Sequence, residues 1–407
     1  MTVRLNGEAS LLCVNCGWRG DPEELRYTCP RCGEPLTIVY EEDYLAERAR
    51  ELREGRGRGV WRYSAFLPFP DDVRRVTLDE GSTPLHESKQ ARGLRLKNEG
   101  LNPTASFKDR GMTVAVTDAL RRGASRVVCA STGNTAASVA AYAARAGMRS
   151  YVLVPSGAVA RGKLAQAVAH GSKIVKIRGG FDEALREVLR LVSEDSGLYL
   201  LNSVNPYRIE GQKTLAFEVW EQLGGSVPDA VVLPVGNAGN ISAIWKGFRE
   251  LVEAGLARSA PRMIGVQAEG AAPLARAFEG GLSELRPVDS PQTYATAIRI
   301  GRPASWRRAL MAARESRGAI ISVSDQEILR AQIDLARVDG VFVEPASAAA
   351  LAGYRRAIAE GLLDPGESVV AVLTGHGLKD PDAVAMFGSD EVEVEPRDLT
   401  RELSAST

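Results

Sequence analysis

The sequence predicts an α/β protein with parallel strands, preceded by a small metal-held ribbon. Two observations carry this. From residue 112 onward, short apolar strand patterns alternate with helical patterns, and strands separated by helices make parallel βα units covered on both faces. Four of the five cysteines fall in the first 32 residues as two C-x2-C pairs. That is a local metal-ligand pattern, not a disulfide framework. At 407 residues the chain is long enough for two or three domains with a sizeable core.

Bulk charge narrows the partners. The 51 basic and 51 acidic residues cancel, so nothing in the balance favours nucleic acid or an anionic membrane. No apolar run reaches the ~18 residues of a membrane span. The segment from Met1 to Glu8 has no apolar core of the kind a secretory signal needs. The expectation is a cytoplasmic protein with no nucleic-acid and no membrane partner.

In chain order, Cys13 and Cys16 pair with Cys29 and Cys32 across twelve residues. Each pair, with its following glycine, makes a knuckle, and two knuckles complete a tetrahedral four-thiolate site for a structural zinc; bound iron, or loss of metal, is the alternative. A unit this small draws much of its folding energy from the metal. A charged, helical connector follows from Glu41 to Glu54, then a Gly/Arg linker at 55–59 and an apolar segment, Trp61 to Phe69. Gly81-Ser82-Thr83-Pro84 is a turn rich in hydroxyls.

Leu96 to Gly111 is a Gly/Asn/Pro loop that ends in Ser106-Phe107-Lys108-Asp109-Arg110-Gly111, where an amphipathic helix begins. Lys108 therefore sits near a helix N-terminus, where the macrodipole disfavours a cation and eases loss of its proton. A neutral lysine amine is what Schiff-base chemistry requires. The chain has only nine lysines, and of these Lys108 and Lys97 lie in this loop. Three further strand-to-helix junctions carry polar groups. Ser131-Thr132-Gly133-Asn134-Thr135 offers hydroxyls, an amide and free helix N–H groups, which suit a carboxylate or simply cap the helix. Gly236-Asn237-Ala238-Gly239-Asn240 lets backbone approach an anion, or is an ordinary Gly–Asn turn; it lacks the dinucleotide G-x-G-x-x-G spacing. Asn202-Ser203-Val204-Asn205-Pro206-Tyr207-Arg208 combines neutral donors with an arginine suited to phosphate. Leu373-Thr374-Gly375-His376 follows a buried strand; His376 reads as a satisfied loop histidine rather than a base.

The lysine segment, with Gly81-Ser82-Thr83-Pro84 before it and these loops after it in the same order, resembles the fold-type II pyridoxal-phosphate (PLP) enzymes and, within them, the threonine synthases. The resemblance implies two parallel-sheet α/β domains like those of tryptophan synthase β, with PLP in the cleft between them. The division would be a ribbon at 1–40, a connector at 41–80, a large domain at 81–125 and 206–395, and a small domain at 126–205. It implies that Lys108 holds PLP covalently and shuttles protons. Asn134 would meet the cofactor's phenolic oxygen, Gly236, Asn237, Ala238, Gly239 and Asn240 its phosphate, and Thr374 its pyridine nitrogen. Ser131, Thr132 and Thr135 would hold the substrate's α-carboxylate, and Thr83 would line the substrate side. Asn202, Ser203 and Arg208 would receive a substrate phosphate. Lys97 either adds a second charge there or is a structural lysine. Arg302 departs from the asparagine common at its place, between Gly301 and Pro303. The implied reaction is conversion of O-phospho-L-homoserine and water to L-threonine and phosphate in a homodimer. Threonine or serine dehydratase and cysteate synthase, of the same fold, are the rivals.

Overall fold

The computed structural model describes residues 5, 9–41, 43–156, 161–178, 181–195, 197–282, 284–388, 391–399 and 403. Three sheets organise them. The ribbon is antiparallel, with Ala9–Leu12 between Arg19–Gly20 and Thr37–Tyr40. A four-stranded sheet, all parallel, has the order Lys173–Ile177, Arg149–Pro155, Arg126–Ala130, Leu198–Leu200. A six-stranded sheet has the order Ala319–Val323, Arg262–Ala268, Ala230–Pro234, Val369–Leu373, Leu94–Asn98, Leu85–Glu87, and only the last strand runs antiparallel. Every residue of Ala230–Pro234 and Val369–Leu373 is buried. Strands covered by helices on both faces lose the polar alternation of a half-exposed strand, which is why these read as unbroken apolar runs.

The expected alternation of strands and helices is present from residue 112 onward, with three informative departures around it. Leu94–Asn98 is a strand, not part of a loop. The polar junction Asn202–Arg208 is helical from Pro206 onward, because Asn205 caps the helix by accepting from Tyr207 N and proline suits the first turn. The helix Lys108–Arg121 is not amphipathic: Asp109, Arg110 and Asp118 are buried along with its apolar residues, as befits a helix surrounded by protein. Among the described residues no helix is long and apolar enough to cross a membrane.

Two glycines bring the site together. A Cβ on Gly211 would lie 1.9 Å from the Arg110 carbonyl oxygen, and one on Gly111 would lie 2.7 Å from that of Arg208. The helices Lys108–Arg121 and Pro206–Gln222 therefore cross backbone to backbone. Any larger residue would drive them apart and move Arg208 away from the lysine's first turn. Below the crossing, the Arg110 guanidinium bridges Glu99 (2.6 and 2.8 Å) and Glu218 (2.9 and 3.0 Å), all three buried. An ion cluster of this kind stays in the interior only because each charge is paired.

The ribbon is not an appendage. Its Leu11, Leu36 and Ile38 are buried in the same apolar cluster as Met112, Val114 and Val116 of the lysine helix. Arg122 donates to the carbonyls of Pro22 and Glu23, and Tyr27 Oη accepts from Leu200 N at 3.0 Å.

Candidate active site

Lys108 is the first residue of its helix. The loop before it is fixed from both sides. Phe107 N donates to the Thr374 carbonyl and His376 N to that of Ala105, both at 3.0 Å. The buried Asp109 carboxylate accepts from Thr104 N, Thr104 Oγ1 and Ser138 Oγ, each at 2.6 Å. Ala105 takes a left-handed backbone, φ 65°, a conformation that costs a non-glycine residue about 1–2 kcal/mol. Those bonds hold that strain in place next to the lysine. Lys108 Nζ lies 3.8 Å from the centroid of the Phe107 ring. Its pKa is lowered to about 7, chiefly by burial, then by the charge of Arg208, with Glu344 pulling the other way. Burial and the Arg208 charge are causes of the lowering that the helix field expected from the sequence does not include. A lysine with this pKa is substantially neutral near pH 7 and fit for nucleophilic work.

Asn134 begins the helix Asn134–Ala146, and its Nδ2 donates to Glu344 Oε1 and Oε2 at 3.0 and 3.1 Å. Glu344 is buried, with its pKa raised by burial, and it was missed from the sequence. The available signal was its place as N-cap of Pro345–Ala359, a position where Ser, Thr, Asp or Asn is the ordinary choice. Ser131, Thr132 and Thr135 are half-buried at the same strand–helix turn, with Ser131 Oγ accepting from Gly133 N at 3.3 Å. Thr374 Oγ1 is 3.0 Å from Ser347 Oγ. His376 Nδ1 accepts from Leu378 N at 3.1 Å, and its ring stands edge-on to Phe342, as expected of a loop histidine.

The turn 236–240 leads into the helix Gly239–Glu253 through Ala238, whose φ is 65°. A Cβ on Gly236 would stand 3.1 Å from the Ala297 carbonyl oxygen, so a larger residue would need the facing backbone to give by a few tenths of an ångström. Both side-chain polar atoms of Asn240 are buried with no protein partner. Arg208 is 2% exposed; Nη1 donates to the Leu201 carbonyl at 3.2 Å, Nε has no protein partner, and burial lowers its pKa to about 10. Among the described residues no carboxylate neutralises it by an ion pair of the kind that holds Arg110. A buried cation left in this state is suited to an anion from outside the chain.

Three expected substrate residues have side-chain hydrogen bonds already made within the protein. Lys97 is 0% exposed, and its three protons meet Thr83 O (2.7 Å), Glu218 and Gln222 Oε1 (2.8 Å). None is left for a phosphate. The reason is the strand Leu94–Asn98, which directs this side chain into the protein. Thr83 joins the same cluster: its Oγ1 donates to Glu99 at 2.6 Å and accepts from Arg110 at 3.1 Å. Asn202 extends the small sheet, Oδ1 accepting from Ala130 N (2.9 Å) and Nδ2 donating to Ala130 O (3.2 Å). It shapes the turn, and Ser203 stands half-buried beside it.

The four ribbon cysteines bring their Sγ atoms within 4.8 Å of one another, with close pairs at 3.4, 3.6 and 3.7 Å. A tetrahedral zinc–thiolate site at its usual bond length has sulfur separations of about 3.8 Å, so the cluster fits that ion. The cleft residues likewise fit PLP. They supply a lysine whose pKa is lowered to about 7, a glycine turn with an orphaned amide beside it, and a hydroxyl at Thr374.

A family profile described as "Pyridoxal-phosphate dependent enzyme" matches residues 76–375. The threonine synthase of Methanocaldococcus jannaschii is 49% identical over 391 residues, covering 94% of this chain and 96% of its own. That of Mycobacterium tuberculosis H37Rv is 56% identical over 325 residues, 79% of this chain and 88% of its own. Among solved structures, the processed form of threonine deaminase isoform 2 from Solanum lycopersicum aligns with TM-score 0.63 at 21% identity, over 89% of this chain and 88% of its own. Maize serine racemase aligns with TM-score 0.59 at 21% identity, over 80% and 93%. At those identities the two structures speak for the fold alone. The fold, the site and the sequence relatives agree: the chain belongs to the fold-type II PLP-dependent enzymes and, within them, to the threonine synthase family of lyases.

Proposed function

We propose that this chain converts O-phospho-L-homoserine and water to L-threonine and phosphate, with Lys108 as the cofactor lysine and proton shuttle and Arg208 as the seat of the substrate phosphate. The observation that carries the phosphate assignment is Arg208 itself, buried, unneutralised and close enough for its charge to lower the pKa of Lys108. A dehydratase has no phosphate to place there. Lys108, Asn134, the turn 236–240 and Thr374 would hold PLP. When bound, PLP draws electrons from the substrate so that protons on its α- and β-carbons become removable. The protein's residues do the rest. Lys108 Nζ, with its pKa near 7, takes and returns those protons. Arg208 fixes the phosphate and so sets the direction in which the γ C–O bond breaks. Ser131, Thr132 and Thr135, at a helix start, orient the α-carboxylate.

The same reading includes a structural zinc on Cys13, Cys16, Cys29 and Cys32, a cytoplasmic homodimer, and the domain division at 126 and 205. Phosphate release with amino-acid analysis tests the activity, using O-phosphohomoserine and, separately, O-phosphoserine with sulfite. Threonine from the first substrate alone supports the reading. Turnover of the second alone would keep fold and cofactor and move the enzyme to cysteate synthesis. Lys108→Ala removes both the cofactor's absorption band and turnover; surviving turnover would refute the lysine assignment.

A further inference from the structure

The helix Trp306–Glu315 carries Arg307 and Arg308 in its first turn, where the dipole disfavours cations. The ribbon holds both. Arg307 pairs with Glu34 at 3.3 Å while stacking on Trp306, 4.1 Å from the ring centroid. Arg308 Nη1 donates to the Leu36 carbonyl at 3.3 Å. Arg308 is 5% exposed, its pKa is lowered to about 10 by burial, and among the described residues it hydrogen-bonds no carboxylate. The Glu34 charge reaches Arg308 without a hydrogen bond, and the two hydrogen bonds fix the guanidinium in place.

The second bond leads to the cofactor site. Arg308 Nη2 donates to Ser305 Oγ at 2.9 Å. Ser305 N donates to the Asn237 carbonyl at 3.1 Å, and Ala304 N to Asn237 Oδ1 at 3.3 Å. On the ribbon side, the Glu34 carbonyl accepts from Cys29 N at 2.8 Å, and Leu36 N donates to Tyr27 O at 3.0 Å. Hydrogen bonds and short stretches of backbone thus connect a cysteine knuckle to the turn 236–240, and the Arg308 side chain spans the step from the ribbon to Ser305.

We propose that the four-cysteine ribbon sets the position of the turn 236–240 through Arg308, which makes Arg308 a positioning residue for the cofactor's phosphate. This rests on the reading of that turn as the phosphate seat. The test uses the full chain and reads cofactor binding, not turnover. PLP dissociation constants come from absorbance titration of cofactor-free protein, and the phosphate environment from the 31P resonance of bound PLP. Arg308→Met and Ser305→Ala should each weaken PLP binding about tenfold and shift the 31P line. Arg308→Lys, which keeps a donor, should recover part of the affinity. Ser305→Ala removes one hydroxyl and carries the test if Arg308→Met fails to fold. Unchanged affinity and an unchanged 31P line in both variants overturn the proposal. Asn240→Ala separates the two readings. If it weakens PLP while the other variants do not, the seat stands and the link from the ribbon fails. If it too has no effect, the seat itself was misplaced.

Discussion

Asn134 Nδ2 and Glu344 Oε1 lie 3.0 Å apart, an amide from the helix that follows a strand of the small sheet against a carboxylate beside the lysine loop. This carboxylate and Arg208 act on Lys108 with opposite signs. The neutral amine is the form that captures cofactor, so capture of PLP by cofactor-free enzyme should rise with pH through about 7. Glu344→Gln removes a charge that favours the protonated amine, and the midpoint should fall. Arg208→Gln removes one that disfavours it, and the midpoint should rise. Arg208 is the stronger influence of the two, so its variant should give the larger shift. Stopped-flow absorbance across pH gives both values; shifts of the same sign would rule out this electrostatic account.

Arg208→Met should raise KM for O-phosphohomoserine roughly 100-fold, in the range expected when a buried charged partner is truncated. The melting temperature should not fall in step, since Arg208 leaves behind no stranded carboxylate. Steady-state kinetics beside calorimetry make the comparison, and a KM within twofold of the parent enzyme would remove the phosphate role.

Lys97→Met should do the reverse. Glu218 loses a buried partner, and breaking such a pair costs about 3–5 kcal/mol. Denaturant unfolding should show the loss, while KM of the folded enzyme stays near its original value. A raised KM with unaltered stability would return Lys97 to the substrate site.

Metal analysis of the purified chain should find about one zinc per chain, and Cys16→Ser should reduce it to near none. Because the ribbon packs into the core beneath the lysine helix, chelation should also lower the melting temperature of the whole protein. A chelated enzyme with unchanged melting would mean that the ribbon folds without its metal.

Legibility in the sequence followed the physics of each feature. Central strands such as Val369–Leu373 were visible because burial on both faces makes them uniformly apolar. The lysine, the cysteine knuckles and Arg208 were visible because their chemistry depends on residue type and local spacing. What stayed hidden depends on facing. Lys97 reads the same whether its strand points it at the cleft or at Glu218. Thr83 and Asn202 are polar residues in turns, and only three-dimensional neighbours reveal that their hydrogen bonds are already made. Glu344 and Arg308 were missed for the same reason: each has a partner more than 200 residues away in the chain, Asn134 at 210 and Leu36 at 272.

The strand Val369–Leu373 lies in mid-sheet, hydrogen-bonded to Ala230–Pro234 on one side and Leu94–Asn98 on the other, and it leads into the loop that fastens Phe107 and Ala105. During synthesis this keystone emerges long after Lys108. Until it slots in, the earlier strands have a gap between them and the lysine loop has no wall to lean on. A chain that stops short of residue 369 therefore carries Lys108 and the turn 236–240 but lacks both the strand that joins the two halves of the sheet and the backbone partners that fasten the lysine loop.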